Sequence, residues 1–343
     1  MRLVFLGTSA FACPSLLALA TVHEIALVIT QPDRRAGRKQ ELSRSPVGLE
    51  ADRLGLPVAQ PERINSKETL RLLRQAAPEV IVVAAYGQIL REAVFSLPPL
   101  GTINIHASLL PRYRGAAPIN WAIIRGEVET GITTFLIEAG LDTGKILLQR
   151  AVSIGRDEAA GELHERLSFL GSEGILDTLA GLEAKTLEPV AQNDKEATVA
   201  PMLRREDGLI DWQKRALELH NQVRGMNPWP GAYTHLEEAR VKVHRTALTG
   251  VADGKVRPGE IVLRETGRLL VGTADNLLEI LEIQRESHPR MTGCAFLNGL
   301  RRVTAFNQHG DRDQQGRFPQ GAAQVLLPAV RVQESLRYCE LWL

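Results

Sequence analysis

Two polar residues one strand-repeat apart, Asn104 and His106, are the first place where this sequence could do chemistry. In an extended strand they face the same way, with Ile103 and Ile105 facing the other. An amide donor and a titratable imidazole are then aimed at one point. The strand pattern over 102–106 ends at His106, so both groups sit near its carboxyl end, the edge where open α/β sheets place ligands. Taken alone, such a pair is often only a hydrogen-bonded structural pair. A second run argues for more. Residues 132–138 read as a strand that enters a Gly-rich loop, Gly140-Leu141-Asp142-Thr143-Gly144, presenting a carboxylate. If the two strands are neighbours, Asp142 reaches His106, fixes its tautomer and favours its charged form.

The elements that must position these groups alternate along the first half of the chain. Strand patterns over 2–6, 24–30, 80–85, 102–106 and 132–138 are interleaved with helix patterns over 11–20, 47–54, 67–76 and 117–125. Proline in the first turn is compatible with such helices. The run 80–85 is continuously apolar, as expected of a strand covered on both faces. A long amphipathic helix over 158–181 closes the set. This order predicts a doubly wound, Rossmann-like open α/β sheet over 1–187. Residues 188–206 are polar and irregular and read as a linker. Over 207–308, one helix (214–224) is followed by short strand-like runs at 233–236, 240–247, 259–263, 269–273 and 277–283. These predict a small OB-like β-barrel. Trp229, between two prolines, is expected in the core or between domains rather than as a base-stacking platform. Residues 309–343 form a Gln-, Arg- and Gly-rich tail with no readable structure.

Composition narrows the class. The chain has 343 residues, 44% hydrophobic and 24% charged, with a formal net charge of +1. That is ordinary for a soluble globular protein of two domains and gives no general attraction to polyanions. Cys13, Cys294 and Cys339 are scattered, without metal-ligand spacing, and fit a reducing compartment. No signal peptide or membrane span is readable. A cytoplasmic monomer without a metal is expected. The segment after the first strand, Gly7-Thr8-Ser9-Ala10-Phe11, is not G-x-G-x-x-G, so no nucleotide cofactor is expected.

The Asn-x-His triplet at 104–106, followed by Ser108-Leu109-Leu110-Pro111 and Arg114-Gly115, then Leu141-Asp142-Thr143-Gly144 after the next strand, resembles the 10-formyltetrahydrofolate-dependent formyltransferases. Further stretches extend the likeness to about residues 1 to 300, on the branch that formylates methionyl-tRNA. They are Phe5 to Thr8, Phe11-Ala12, Thr30 to Arg34, Ser45-Pro46-Val47, Tyr86-Gly87, Ile210-Asp211-Trp212 and Asn227-Pro228-Trp229-Pro230. The resemblance implies transfer of a formyl group from 10-formyltetrahydrofolate to the amine of methionine on initiator tRNA. It makes Asn104, His106 and Asp142 the catalytic trio. It assigns folate to Ser108, Leu109, Leu110 and Pro111, with Tyr86, Gly87, Gln88, Ile89, Gly140 and Leu141. It makes the second domain an OB-like tRNA-binding module. The residue types suit the chemistry: an amide and an imidazolium can donate to the oxyanion of a tetrahedral intermediate, and a carboxylate can stabilise the cation and help move a proton.

Basic residues suggest the tRNA contacts. Arg34, Arg35, Arg38, Lys39 and Arg44 fall in a long loop after the second strand, near the active-site edge, where Arg and Lys can meet phosphates. Lys242, His244 and Arg245 lie along one strand of the second domain and could line a phosphate track. Three alternatives stay open: an N-formyltransferase acting on an amino sugar nucleotide, a formyltetrahydrofolate hydrolase, and a catalytically silent RNA-binding protein. The intact trio speaks against the last.

Overall fold

Uninterrupted apolar runs cannot leave either face in water, and in this chain they become the centre of a covered sheet. The computed structural model describes residues 1–36, 41–251, 256–263, 267–300 and 305–307. Its first domain contains β1 (Arg2–Gly7), α1 (Cys13–Val22), β2 (Glu24–Ile29), β3 (Arg34–Ala36), β4 (Glu41–Ser43), α2 (Pro46–Arg53), β5 (Val58–Ala59) and α3 (Lys67–Ala76). Then come β6 (Val80–Ala84), α4 (Glu92–Phe95), β7 (Thr102–His106), β8 (Arg114–Gly115), α5 (Pro118–Ile124), β9 (Glu129–Leu136), β10 (Ile146–Ser153) and α6 (Ala160–Glu183). Among the described residues, seven strands form one sheet in the order β10-β9-β7-β6-β1-β2-β5. Strands β5, β2, β1, β6 and β7 are parallel, β9 pairs antiparallel with β7, and β10 pairs antiparallel with β9 at the edge.

The helices start where the sequence lets them. Ser45 and Ser66 accept hydrogen bonds from the Gly48 and Thr69 N–H groups at 2.9 and 3.1 Å, capping α2 and α3. The two faces of the sheet read directly from strand alternation. Leu3, Phe5, Val80, Val82, Ile103 and Ile105 join the core under α1 and α6. Val4, Leu6, Ile81 and Val83 join the core on the other face, with Leu73 and Val94 from α3 and α4. Small residues let α6 lie close to the sheet: a Cβ on Gly174 would come within 2.6 Å of Ile132, and one on Gly171 within 3.0 Å of Ile105.

After β11 (Val199–Ala200) in the linker, the second domain begins with α7 (Ala216–Gly225). It continues through β12 (Ala232–Leu236), β13 (Ala239–Leu248), β14 (Ile261–Leu263), β15 (Leu269–Gly272), β16 (Leu277–Arg285), β17 (Met291–Thr292), α8 (Gly293–Asn298) and β18 (Phe306–Asn307). Its antiparallel sheet runs β14-β15-β16-β13-β12-β18. The two edges meet where the Phe306 N–H donates to the Gly259 carbonyl at 2.8 Å and Glu260 bridges Ala305, so the sheet curls into a barrel-like shell. Trp212 is its anchor: the indole N–H donates to Thr234 Oγ1 at 3.0 Å, and the ring stacks on Phe306 at 5.8 Å.

Segments read as irregular hold more order than expected. The long basic loop is a hairpin at its base, with Arg34 opposite Ser43 and Arg35 opposite Leu42. The linker carries β11, which pairs with β8 of the first domain. Trp229 is 54% exposed rather than packed between domains, and Pro228 beside it lies against Gly161. The tail over 309–343 lies outside the described residues. No helix among the described residues is long and apolar enough to cross a membrane.

Candidate active site

Strand β7 delivers Asn104 and His106 to the sheet face opposite Ile103 and Ile105. His106 is 6% exposed and meets the Phe135 ring edge-on at 6.3 Å. Its Nε2 lies 2.9 Å from the Tyr113 carbonyl oxygen. A carbonyl only accepts, so Nε2 carries the proton and donates. The tautomer is therefore set by a backbone carbonyl and not, as the sequence suggested, by the carboxylate. The other nitrogen, Nδ1, faces Asp142 Oδ2 at 3.7 Å, beyond direct hydrogen-bond range but close enough for one charge to act on another. The side-chain amide of Asn104 has no hydrogen-bond partner among the described residues and is only partly buried.

Asp142 arrives by a route that the sequence did not indicate. Because β9 is antiparallel to β7, its end at Leu136 lies beside Ile103, at the far end of β7 from His106. The loop after it doubles back along the sheet face to bring Asp142 to the imidazole. Asp142 itself takes a left-handed backbone, φ +53°. Its Oδ2 accepts a hydrogen bond from the Gly115 N–H at 2.8 Å. Gly115 has φ +118°, and a Cβ there would lie 2.7 Å from the Ala200 carbonyl oxygen, so no side chain fits.

The expected folate residues divide into two kinds. Ser108 and Leu110 are buried, and their polar groups hold the turn together. Ser108 Oγ donates to the Arg112 carbonyl at 2.6 Å. Thr133 Oγ1 donates to the Ser108 carbonyl at 2.6 Å and accepts from the Leu110 N–H at 3.1 Å. Leu109 and Pro111 are partly open. In the loop after β6, the Tyr86 carbonyl accepts from Thr8 Oγ1 at 2.9 Å and Gln31 Nε2 at 3.1 Å. The Tyr86 ring is buried, and burial pushes its phenol up to about 12. Gln88 is tied to Ile64 and Glu62. Gly87, Ile89, Gly140 and Leu141 are exposed, Ile89 at 85% and Leu141 at 57%. Thr133, the Tyr113 carbonyl and Gln192 were not singled out from sequence; a buried threonine, a backbone atom and a glutamine in a polar stretch carry no local signal.

The basic residues also divide. Arg34 is exposed and donates to Gln31 Oε1 at 2.8 Å. Arg44 turns inward: its guanidinium lies 2.6 Å from Asp52 and 3.9 Å from Asp33, so it ties the hairpin base to α2 instead of facing solvent. Arg38 and Lys39 lie outside the described residues, as does the side chain of Arg35. On β13, Lys242 and Arg245 are exposed. His244 departs from the expected track. A register shift between Val243 and Arg245 turns its ring inward, where it is 9% exposed and pairs with Gln284 Oε1 at 3.0 Å. Burial lowers its pKa.

A cavity of about 670 Å³ between the two domains, lined by Arg156, His220 and Arg224 among others, contains none of the trio. Among the described residues, no three His, Cys, Asp or Glu side chains gather where they could hold a metal ion.

Comparison with known proteins gives the family. Residues 1–179 match the family model described as formyl transferase, and residues 202–301 match the formyl transferase C-terminal domain. The methionyl-tRNA formyltransferase of Solibacter usitatus is 48% identical over 302 residues, covering 88% of this chain and 96% of that protein. That of Geobacter sulfurreducens is 47% identical, with 88% and 94% covered. Among solved structures, an N-formyltransferase from Helicobacter canadensis, crystallised with folinic acid and dTDP-3-aminofucose, superposes with a TM-score of 0.62 at 20% identity, over 83% of this chain and 99% of that one. HypX from Aquifex aeolicus, in complex with tetrahydrofolic acid, gives 0.57 at 17% identity, covering 87% of this chain and 47% of that one. At such identities the structures speak to fold alone.

Proposed function

The chain belongs to the methionyl-tRNA formyltransferase family, and from that premise we propose how its site works. The protein transfers a formyl group to the amino group of methionine on initiator methionyl-tRNA, giving N-formylmethionyl-tRNA for translation initiation. The donor is 10-formyltetrahydrofolate, and the protein acts as a cytoplasmic monomer. The neutral amine attacks the formyl carbon and forms the new C–N bond, while the carbonyl electrons move to oxygen. Collapse of the tetrahedral centre breaks the bond to the folate nitrogen, which leaves with a proton; the incoming nitrogen loses one.

Asn104 and His106 share the work of holding the oxyanion. The Asn104 amide has no partner among the described residues and so is free to donate. With Nε2–H committed to Tyr113, the proton of a charged His106 available to the reaction is on Nδ1. Donors of this kind are worth about 10²–10³ in rate each. Asp142 stabilises the imidazolium across the 3.7 Å gap and passes the proton on through water. Leu109 and Pro111, with Ile89, Gly140 and Leu141, supply contact surface for the folate, on the rigid turn that Ser108, Leu110 and Thr133 build. Arg34 and Arg35 on β3, Arg38 and Lys39 just after them in sequence, and Lys242 and Arg245 on β13 meet tRNA phosphates.

The observation that supports this reading is His106 Nδ1 facing Asp142, with Asn104 on the same face of β7 and its amide unpaired among the described residues. The test is a formyl-transfer assay that compares initiator methionyl-tRNA, elongator methionyl-tRNA and a dTDP-amino sugar, with formate release followed in the absence of any acceptor. Rapid formylation of initiator methionyl-tRNA is expected. Preference for the sugar, or formate release matching turnover, would overturn the assignment.

A further inference from the structure

We propose that Gln192, in the segment between the two domains, is a positioning residue that holds Asp142 in place for the reaction. The proposal rests on the formyl-transfer reading of Asp142. Asp142 has φ +53°, a left-handed conformation that is uncommon for non-glycine residues and is kept when their surroundings hold them there. The hold comes from Gln192. Its Nε2 donates to the Asp142 carbonyl and to the Gly144 carbonyl, both at 2.8 Å. Its Oε1 accepts from Arg114 Nε at 3.1 Å and Arg114 Nη2 at 2.7 Å. The residue after Arg114 is Gly115, whose N–H donates to Asp142 Oδ2. Gln192 thus closes a ring that grips Asp142 by its backbone on one side and its carboxylate on the other.

The chemistry of this ring selects glutamine. Two carbonyl acceptors on one side need two N–H donors, and a guanidinium on the other needs an oxygen; one neutral amide offers both. The segment that carries Gln192 is clipped on either side of it. Val190 and Ile146 exchange backbone hydrogen bonds at 2.8 and 2.9 Å, and Val199–Ala200 pairs with Arg114–Gly115. Among the described residues, the Gln192 side chain hydrogen-bonds to the backbone of the 142–144 loop and to Arg114, so it acts through Asp142 and not on substrate.

The test uses the full chain with Gln192→Glu and Gln192→Leu, each alone and combined with Asp142→Asn. Glutamate keeps the size and the Arg114 contact but faces the two carbonyls with an acceptor, so the test does not depend on the leucine variant folding. Formylation of initiator methionyl-tRNA gives kcat and KM; fluorescence gives folate Kd; thermal melting gives Tm. A drop in kcat of about ten- to a hundred-fold is expected, the scale of a small misplacement of a catalytic group, with KM for tRNA and folate Kd unchanged. In the Asp142→Asn background, Gln192→Glu should cost no further rate, because the group it positions is already lost. Unchanged kcat in a folded Gln192→Glu protein would overturn the proposal. So would losses that multiply in the double variant, which would make Gln192 a general structural residue. Wild-type protein run alongside separates the readings: inactivity of the wild type sinks the formyl-transfer reading and this proposal with it, whereas full activity of the variants sinks only the positioning role.

Discussion

Replacing Asp142 with asparagine isolates one physical quantity, the charge facing the imidazole. The change keeps an oxygen to accept from the Gly115 N–H, now at 2.8 Å, and leaves the loop backbone untouched. It removes a negative charge 3.7 Å from His106 Nδ1, at a site where His106 is 6% and Asp142 17% exposed. Unit charges about 4 Å apart attract by about 4 kcal/mol at an effective dielectric near 20. At about 1.4 kcal/mol per decade of rate, that corresponds to about 10³ if the imidazolium forms fully in the transition state. Solvent at the partly open carboxylate trims this, so a loss of about 10²–10³ in kcat is expected. Single-turnover formylation of methionyl initiator tRNA measures it without interference from product release. Folate binding, read by equilibrium fluorescence on the same preparation, should stay within about two-fold, since the charge acts on the transferring group. Turnover within a few-fold of wild type in a folded Asp142→Asn protein would refute the electrostatic role. A parallel loss of folate affinity would instead make Asp142 a binding residue.

The remaining predictions test the scaffold. Gly115→Ala must place a Cβ 2.7 Å from the Ala200 carbonyl at φ +118°, so it should cost about 1–3 kcal/mol and lower kcat by pulling the N–H away from Asp142; unchanged melting and turnover would show that this contact is dispensable. Phe306→Ala should cost about 3–5 kcal/mol, because this buried ring stacks on Trp212, whereas a stop codon at His309 should leave folding and formyl transfer near normal. A truncated chain that folds but no longer uses tRNA would move RNA binding into the tail. The pKa of His220 is lowered by burial and by Arg224 and Arg156, against the Arg156 carbonyl and Asp157. The unfolded chain therefore takes up the proton first, so this contribution to stability is complete above about pH 6.5 and is lost as pH falls below it. Urea melts of wild type and His220→Asn should show a shallower acid decline for the variant between about pH 6.5 and 5; equal slopes would remove His220 from the account. Burial lowers His164 and His244 in the same direction, so some decline should persist.

What the sequence disclosed about this site follows from which physical signals are local. Strand alternation is local, so the shared face of Asn104 and His106, opposite Ile103 and Ile105, was legible from four residues. Strand direction is not: an apolar run looks the same parallel or antiparallel, and so the approach of the Asp142 loop from the far end of β7 was hidden. Strand β10, a sheet edge with alternate residues in solvent, was passed over because one open side weakens its apolar pattern. The basic segment did signal a surface feature, yet Arg44 and Arg34 look alike in sequence. Only the position of Asp52 on α2 separates a tethering arginine from a solvent-facing one. His244 shows the same limit, since a bulge in β13 decides which of its neighbouring residues point outward.

Two of the non-glycine residues with a left-handed backbone flank the imidazole. Tyr113, whose carbonyl accepts the hydrogen bond from Nε2–H, has φ +61°, and Asp142, which faces Nδ1, has φ +53°. Neither is glycine, so each must be held by contacts elsewhere. The Tyr113 hydroxyl donates to Glu127 Oε1 at 2.6 Å, its N–H donates to Thr198 Oγ1 at 2.9 Å, and the Arg112 and Arg125 guanidinium groups lie 5.5 and 5.3 Å from the centre of its ring. Asp142 is held by Gly115 and Gln192. Thr198 and Gln192 belong to the same interdomain segment, so one stretch of chain braces both strained residues. A histidine that must swing between proton partners would be served by mobile neighbours. This one is held at Nε2 by the Tyr113 carbonyl and faces the Asp142 charge at Nδ1, and both partners depend on the brace. On the proposed mechanism, catalysis uses an arrangement already in place, and the segment that joins the domains supports it.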